Sequence, residues 1–127
     1  MKALLSAIVL AVWCGLASAA APTAAPIRTE IDALLAKLQT SGCQFSRNGS
    51  WYSGSEAKDH LLRKLEYFEG KSGIQSTEQF IDLAASTSSS SGRPYQVKCG
   101  NEAPVESHLW LSRELTTLRG PAGKAKL

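Results

Sequence analysis

The chain has 127 residues, 43% of them hydrophobic and 20% charged, with a formal net charge of +3. That length holds one ordinary domain and no more. The charge excess, part of it from Lys2, is too small and too interspersed with acids for a nucleic-acid arm or an anionic-membrane binder.

Residues 1–19 read as an export signal. Lys2 gives a positive start, an apolar run extends from Ala3 to Leu16, and Ala17-Ser18-Ala19 supplies the small residues a signal peptidase accepts, with cleavage after Ala21 as the alternative. The run is short for a membrane span, and the Ala/Pro-rich stretch after it carries no stop-transfer charge. No span is therefore expected after signal removal, and the chain is expected to be periplasmic or secreted. Cys14 leaves with the signal, because the bulky Trp13 before it does not suit lipoprotein processing. Residues 20–28 read as a flexible Ala/Pro-rich linker, 29–119 as a single α+β domain and 120–127 as a disordered tail.

Within the domain, Thr29 with Asp32 resembles a capping box, and Ile31, Leu34, Leu35 and Leu38 recur at helical spacing until Gly42, which predicts a helix over about Thr29 to Thr40. Asn48-Gly49 between two short strand-like runs predicts a hairpin, because both residues tolerate positive φ. A two-residue turn pairs Arg47 with Ser50 and Phe45 with Tyr52, placing Cys43, Phe45 and Tyr52 on one face and Trp51 on the other. Ser53 with Glu56 opens a second helix with Ala57, Leu61, Leu65 and Phe68 as its core stripe, supported by Leu62, until Gly70 and Gly73 break it. Ser76 caps a shorter third helix, about Thr77 to Ala85, with Phe80, Ile81 and Ala84 inward. Ser86 to Gly92 is a hydroxyl-rich loop, and it leads into a strand on which Tyr95, Val97 and Cys99 share a face, with Pro94 at its start. A last helix, about Ser107 to Leu118, carries Trp110, Leu111, Leu115 and Leu118 and stops at Gly120-Pro121. The sum is an α+β domain with a small three-stranded antiparallel sheet and about four helices.

Two cysteines remain after signal removal, Cys43 and Cys99, in a chain that matures outside the reducing cytoplasm, which favours a disulfide. A zinc site built on them lacks close CxxC spacing and a third ligand. Cys43 begins one strand and Cys99 ends another, so antiparallel placement brings them to the same end of the sheet, on the core-facing alternation.

Two blocks of residues carry a family resemblance. The first is Phe45, Arg47, Asn48, Gly49, Tyr52, Glu56-Ala57, His60-Leu61 and Lys64; the second is Phe80-Ile81, Ala85-Ser86, Ser88-Ser89, Ser91-Gly92, Pro94-Tyr95 and Val97. In this joint order they resemble the YfeK-like family of small exported bacterial proteins, a domain-of-unknown-function group, over roughly Thr29 to Arg119. The resemblance implies an exported address and a fold but no catalytic residues.

Three kinds of chemistry are conceivable from the residues. A hydrolase would pair His60 with a hydroxyl among Ser88 to Ser91, with Glu56 orienting the imidazole, yet no nucleophile-positioning motif such as GxSxG is present. Glu56 and His60 share a helix face at i, i+4, and with Asp59 or His108 they would make an incomplete metal site; Glu56 has a simpler role in the capping box. No metal or other cofactor is expected. The third is a pocket for a small anionic or glycan ligand, built from Arg47, Asn48, the serine loop with its backbone amides around Gly92, and Arg93. Trp51, facing away from Phe45, is a candidate exposed aromatic for a sugar or a partner. The leading expectation is an exported binding or interaction module, whose partner is an envelope protein or such a ligand. Its candidate surface is Arg47, Asn48, His60, Lys64, Ser88, Ser89, Ser91 and Arg93, where the hairpin tip, the flank of the second helix and the serine loop meet. The small hydrolase is the runner-up.

Overall fold

The computed structural model describes residues 22–124. The expected export signal, Cys14 and the last residues of the tail lie outside them. Helix α1 runs over Ala25–Thr40, starting four residues before the capping pattern predicts. Pro26 in its first turn explains the early start, since proline's fixed φ is already helical and its missing N–H costs nothing there. Asp32 instead accepts from Arg28 at 2.9 Å within the helix. Thr23 is buried and donates through its N–H and its hydroxyl to the Glu69 carboxylate, both at 2.7 Å. The stretch expected as linker, 20–28, is thus anchored from Thr23 and helical from Ala25.

The hairpin β1 (Gln44–Arg47) and β2 (Ser50–Tyr52) has the predicted register, Phe45 opposite Tyr52 and Arg47 opposite Ser50. Asn48 and Gly49 both take positive φ, 52° and 82°, as a type I′ turn requires. Helix α2 (Gly54–Lys71) begins with the full reciprocal capping box between Ser53 and Glu56, and α3 (Thr77–Ala84) with the Ser76 hydroxyl on the Gln79 N–H. Gly54 allows the start of α2 to press on the end of α1. A Cβ there would sit 3.0 Å from Gln39 Cα and inside the Leu38 carbonyl oxygen.

Strand β3 (Gln96–Lys98) pairs antiparallel with β1, and a further strand, β4 (Val105–Glu106), pairs with β3. The sheet therefore has four strands, in the order β2-β1-β3-β4, and not the three expected. Two residues are too few to show alternation, so β4 exists only through its partners Gln96 and Val97. Helix α4 (Ser107–Lys124) is interrupted at Gly120, with φ 59° and ψ −173°, where the Gly-Pro stop is predicted. Helical backbone then resumes as far as Lys124, where the sequence suggested a disordered tail.

The four helices bury their apolar stripes in one core with Phe45, Tyr95 and Val97 of the sheet side: Ile31, Leu34, Leu35 and Leu38 from α1, Leu61 and Leu65 from α2, Phe80 and Ile81 from α3, and Leu111 and Leu115 from α4, with α2 and α4 packing on the strands and α1 and α3 on the other helices. The register of β1 on β3 sets Cys43 opposite Cys99, and the two form a disulfide across a Cα–Cα distance of 4.3 Å. On the surface, Arg119 of α4 binds Glu30 of α1 and Glu78 of α3, and its guanidinium holds both carboxyls below the usual glutamate range. Arg119 and Glu78 are exposed and Glu30 is only half-buried, so the pairs order the helices more than they stabilise them.

Candidate functional site

Three elements converge beside β3. β1 delivers Arg47, on the same face as Phe45 two residues earlier; α2 delivers His60 and Lys64, one turn apart at the margin of its buried stripe; β3 is preceded by Tyr95, whose ring is fully buried against Phe45. Buried Ser107 fixes the approach to β3, donating its N–H to the Tyr95 carbonyl at 2.9 Å and its hydroxyl to the Ala85 carbonyl at 2.5 Å.

The side chains form a continuous chain of hydrogen bonds. Arg47 Nη1 meets His60 Nδ1 at 2.9 Å, His60 Nε2 meets the Tyr95 hydroxyl at 3.1 Å, and Lys64 Nζ donates to that hydroxyl at 3.0 Å and to the Thr87 carbonyl at 2.9 Å. Arginine only donates, so His60 Nδ1 must accept and the imidazole is neutral with its proton on Nε2. That proton goes to Tyr95, as does one from Lys64. The phenol oxygen thus accepts twice, and its own O–H, together with a third N–H on Lys64, is left over. The environment agrees with this assignment. Desolvation, with Arg47 and then Lys64 adding repulsion, pushes the His60 pKa down to about 4. Burial, and then Arg47, also pulls the Lys64 ammonium below the ordinary lysine value, while burial raises the Tyr95 phenol.

Among the described residues, neither Arg47 nor Lys64 has a carboxylate within 4 Å. Lys64 is nevertheless only 9% exposed. Arg47 also lies over the Tyr52 ring, 5.5 Å from its centroid, and Lys64 over the Tyr95 ring at 4.9 Å. Above them is a cavity of about 280 Å³ lined by Arg47, Asn48, His60, Lys64, Ser88, Ser89, Ser90 and Tyr95. The structure therefore brings together six of the eight residues expected from the sequence. Ser91 joins at the rim, donating to Asn48 Oδ1 at 2.6 Å and so tying the loop to the hairpin tip. Arg93 lies apart, bordering a cavity on the outer face of the sheet beside Trp51, Gln96 and Glu106.

Two expected features are not assembled. The backbone amides around Gly92 are consumed inside the loop: Ser88 donates to the Arg93 carbonyl, Gly92 to the Ser88 carbonyl and Arg93 to the Ser91 hydroxyl. From this loop, Ser88, Ser89 and Ser90 line the cavity. The hydrolase arrangement is also missing among the described residues, since the ring nitrogens of His60 contact Arg47 and Tyr95 and no serine. Glu56 is held by Ser53. His108 pairs with Glu106 at the β4 edge of the sheet, and no three His, Cys, Asp or Glu side chains cluster as metal ligands among the described residues. Tyr95 is the participant that sequence reasoning placed only in the core. Its alternation on the strand pointed inward, and the signal that was there to use is that a buried tyrosine hydroxyl needs a partner.

The fold and pocket define a small α+β domain, disulfide-linked, with an unneutralised cationic recess between helix and sheet. The model of a family of unknown function, DUF5329, matches residues 25–119, and the chain belongs to that family. It is also similar to the uncharacterized protein YfeK of Salmonella typhimurium strain LT2, 42% identical over 66 residues. That match covers 51% of this chain and 53% of the relative, about half the length of each. No solved structure matches the chain. Among the described residues no helix is long and apolar enough to cross a membrane.

Proposed function

We infer that the protein is an exported binding module, working in the bacterial periplasm or outside the cell, whose site takes an anionic group in the recess between Arg47 and Lys64. The observation that carries the reading is the donor surplus. Two cations and a phenol border one cavity, a neutral histidine absorbs none of the charge, and no carboxylate among the described residues lies within 4 Å of either cation, although Glu56 and Asp59 border an adjoining cavity that Arg47 and His60 also line. A buried ammonium with only neutral acceptors is costly, and an arriving carboxylate, phosphate or sulfate removes that cost while using the idle donors. The cysteine pair and the N-terminal signal pattern support the exported setting.

The test uses inorganic phosphate and citrate as probes at low ionic strength. Both are expected to shift the side-chain NMR signals of His60 and Lys64 and to raise the melting temperature. Lys64→Met is expected to abolish that response while leaving the protein at least as stable, because a buried unpaired charge is replaced by an apolar chain of similar length. A parent protein indifferent to both anions, or a Lys64→Met protein that melts well below the parent, means that the network is scaffolding and no anion site exists.

A further inference from the structure

The recess does not end at Lys64. A second, larger cavity of about 600 Å³ opens from it along α2, sharing His60, Lys64 and Ser89 with the first and continuing past Arg63 and Tyr67 to Lys71. His60, Lys64, Tyr67 and Lys71 follow one another at helical spacing and form one stripe about 16 Å long. Tyr67 is 58% exposed, the most exposed of the large hydrophobic side chains among the described residues. Its ring stands edge-on to Phe68 with centroids 5.1 Å apart, and Lys71 Nζ lies 5.6 Å from its centroid. Among the described residues Arg63 and Lys71, like Lys64, have no carboxylate within 4 Å, and no acid lines either cavity. Glu69, on the same helix, is engaged with Thr23 instead.

Resting on the anion-site reading above, we propose that the groove along α2 binds an acidic oligosaccharide, with one anionic substituent between Arg47 and Lys64, a sugar ring against Tyr67, and a further anionic substituent at Lys71. The charges select the sign of the ligand, and their spacing, about 10 Å from Lys64 to Lys71, selects its length over that of a single small ion. The exposed tyrosine offers a flat apolar face to the C–H side of a sugar, and the Ser89 hydroxyl at the junction suits a polyhydroxylated chain. A peptide fits less well. Among the described residues the groove is lined by side chains of α2 and by Ser89 and by no residue of a strand, so it offers no sheet edge to an extended peptide. An amphipathic helix would need a row of apolar anchors, and among the described residues Tyr67 and Phe68 are the only apolar ones lining the groove.

The experiment compares galacturonic acid, a short oligogalacturonate, a heparin-derived oligosaccharide, a neutral malto-oligosaccharide, a polyglutamate peptide and a single-stranded oligonucleotide by calorimetry on the full mature chain. One or both acidic oligosaccharides are expected to bind at least about tenfold more tightly than the monosaccharide, and the neutral sugar not at all. Tyr67→Ala should weaken that binding roughly fivefold to tenfold, the scale of one lost stacking contact, without changing the response to phosphate. Lys71→Gln should remove the gain from chain length. If phosphate still perturbs His60 and Lys64 but the oligosaccharides bind no better than the monosaccharide, or Tyr67→Ala is silent, the groove is refuted while the anion pocket stands. Equal or tighter binding of polyglutamate or the oligonucleotide overturns the assignment to glycans. Silence toward phosphate and every acidic ligand overturns both.

Discussion

Protonation of His60 provides a direct test of the network. In the folded protein the imidazole stays neutral down to about pH 4, whereas in an unfolded chain it titrates near 6.5. Between those values the unfolded state binds more protons than the folded one, so stability must fall as the pH drops through this window. The contribution is fully present above pH 6.5, and no more of it is lost below about pH 4. A displacement of that size corresponds to about 3 kcal/mol at ~1.4 kcal/mol per unit, and partial exposure of the ring reduces it to about 1–2 kcal/mol. For a domain of this size that is a drop in melting temperature of about 5–10 °C. Carboxylates such as Glu30 and Glu78 also titrate at the acid end, so the comparison is with His60→Gln, whose amide accepts from Arg47 and donates to Tyr95 without a titrating proton. Melting curves from pH 7.5 to 4 should diverge, with the parent losing stability faster between pH 6.5 and 4. Nδ1 and Nε2 shifts from NMR should show a neutral Nε2–H tautomer from pH 7.5 to about 5, with protonation setting in only toward pH 4. A His60 that titrates near 6.5, or parallel pH profiles for the two proteins, would refute the assignment of Arg47 as donor to a neutral ring.

Three further predictions concern the frame that holds the site. Gly54→Ala should destabilise the domain by about 2–3 kcal/mol, measured by denaturant melting, because the new Cβ collides with rigid backbone at Leu38 and Gln39; a neutral outcome means the crossing of α1 and α2 is looser than described. Gly49→Val should cost about 1–2 kcal/mol by forcing a β-branched residue to φ 82°, with Ser50→Thr mild by comparison, and equal melting temperatures would rule out the turn geometry. Thiol titration of unreduced, unfolded protein spanning residues 20–127, which holds Cys43 and Cys99 but not Cys14, should find no free thiol. Replacing Cys43 and Cys99 together by serine should remove about 4 kcal/mol, since the bridge closes a loop across a sequence separation of 56 residues. Two free thiols in the untreated protein would sink the latter.

The local elements were legible because each announces itself within a few neighbouring residues. Asn48-Gly49 sets a turn through its own φ preferences, Ser53 and Glu56 close a capping box within one turn, and the spacing of Leu61 and Leu65 defines a buried stripe, so the hairpin register, α2 and α3 follow from short-range sterics and hydrogen bonding. The polar convergence of hairpin tip, α2 flank and serine loop was also legible, since chain order alone leads the loop into the strand that pairs with the hairpin. What the sequence left undetermined depends on partners distant along the chain. β4 is two residues that become a strand only against Gln96 and Val97, and Thr23 is fixed only because Glu69 stands beside it. The direction of the donor chain from Arg47 through His60 to Tyr95 required knowing that three elements place these groups within 3.1 Å of one another. The lack of a carboxylate beside Lys64 likewise belongs to the assembled fold. Local steric and hydrogen-bonding preferences act over a few residues and are written in the chain, whereas hydrogen-bond direction and charge balance arise only when packing decides which groups share a desolvated space.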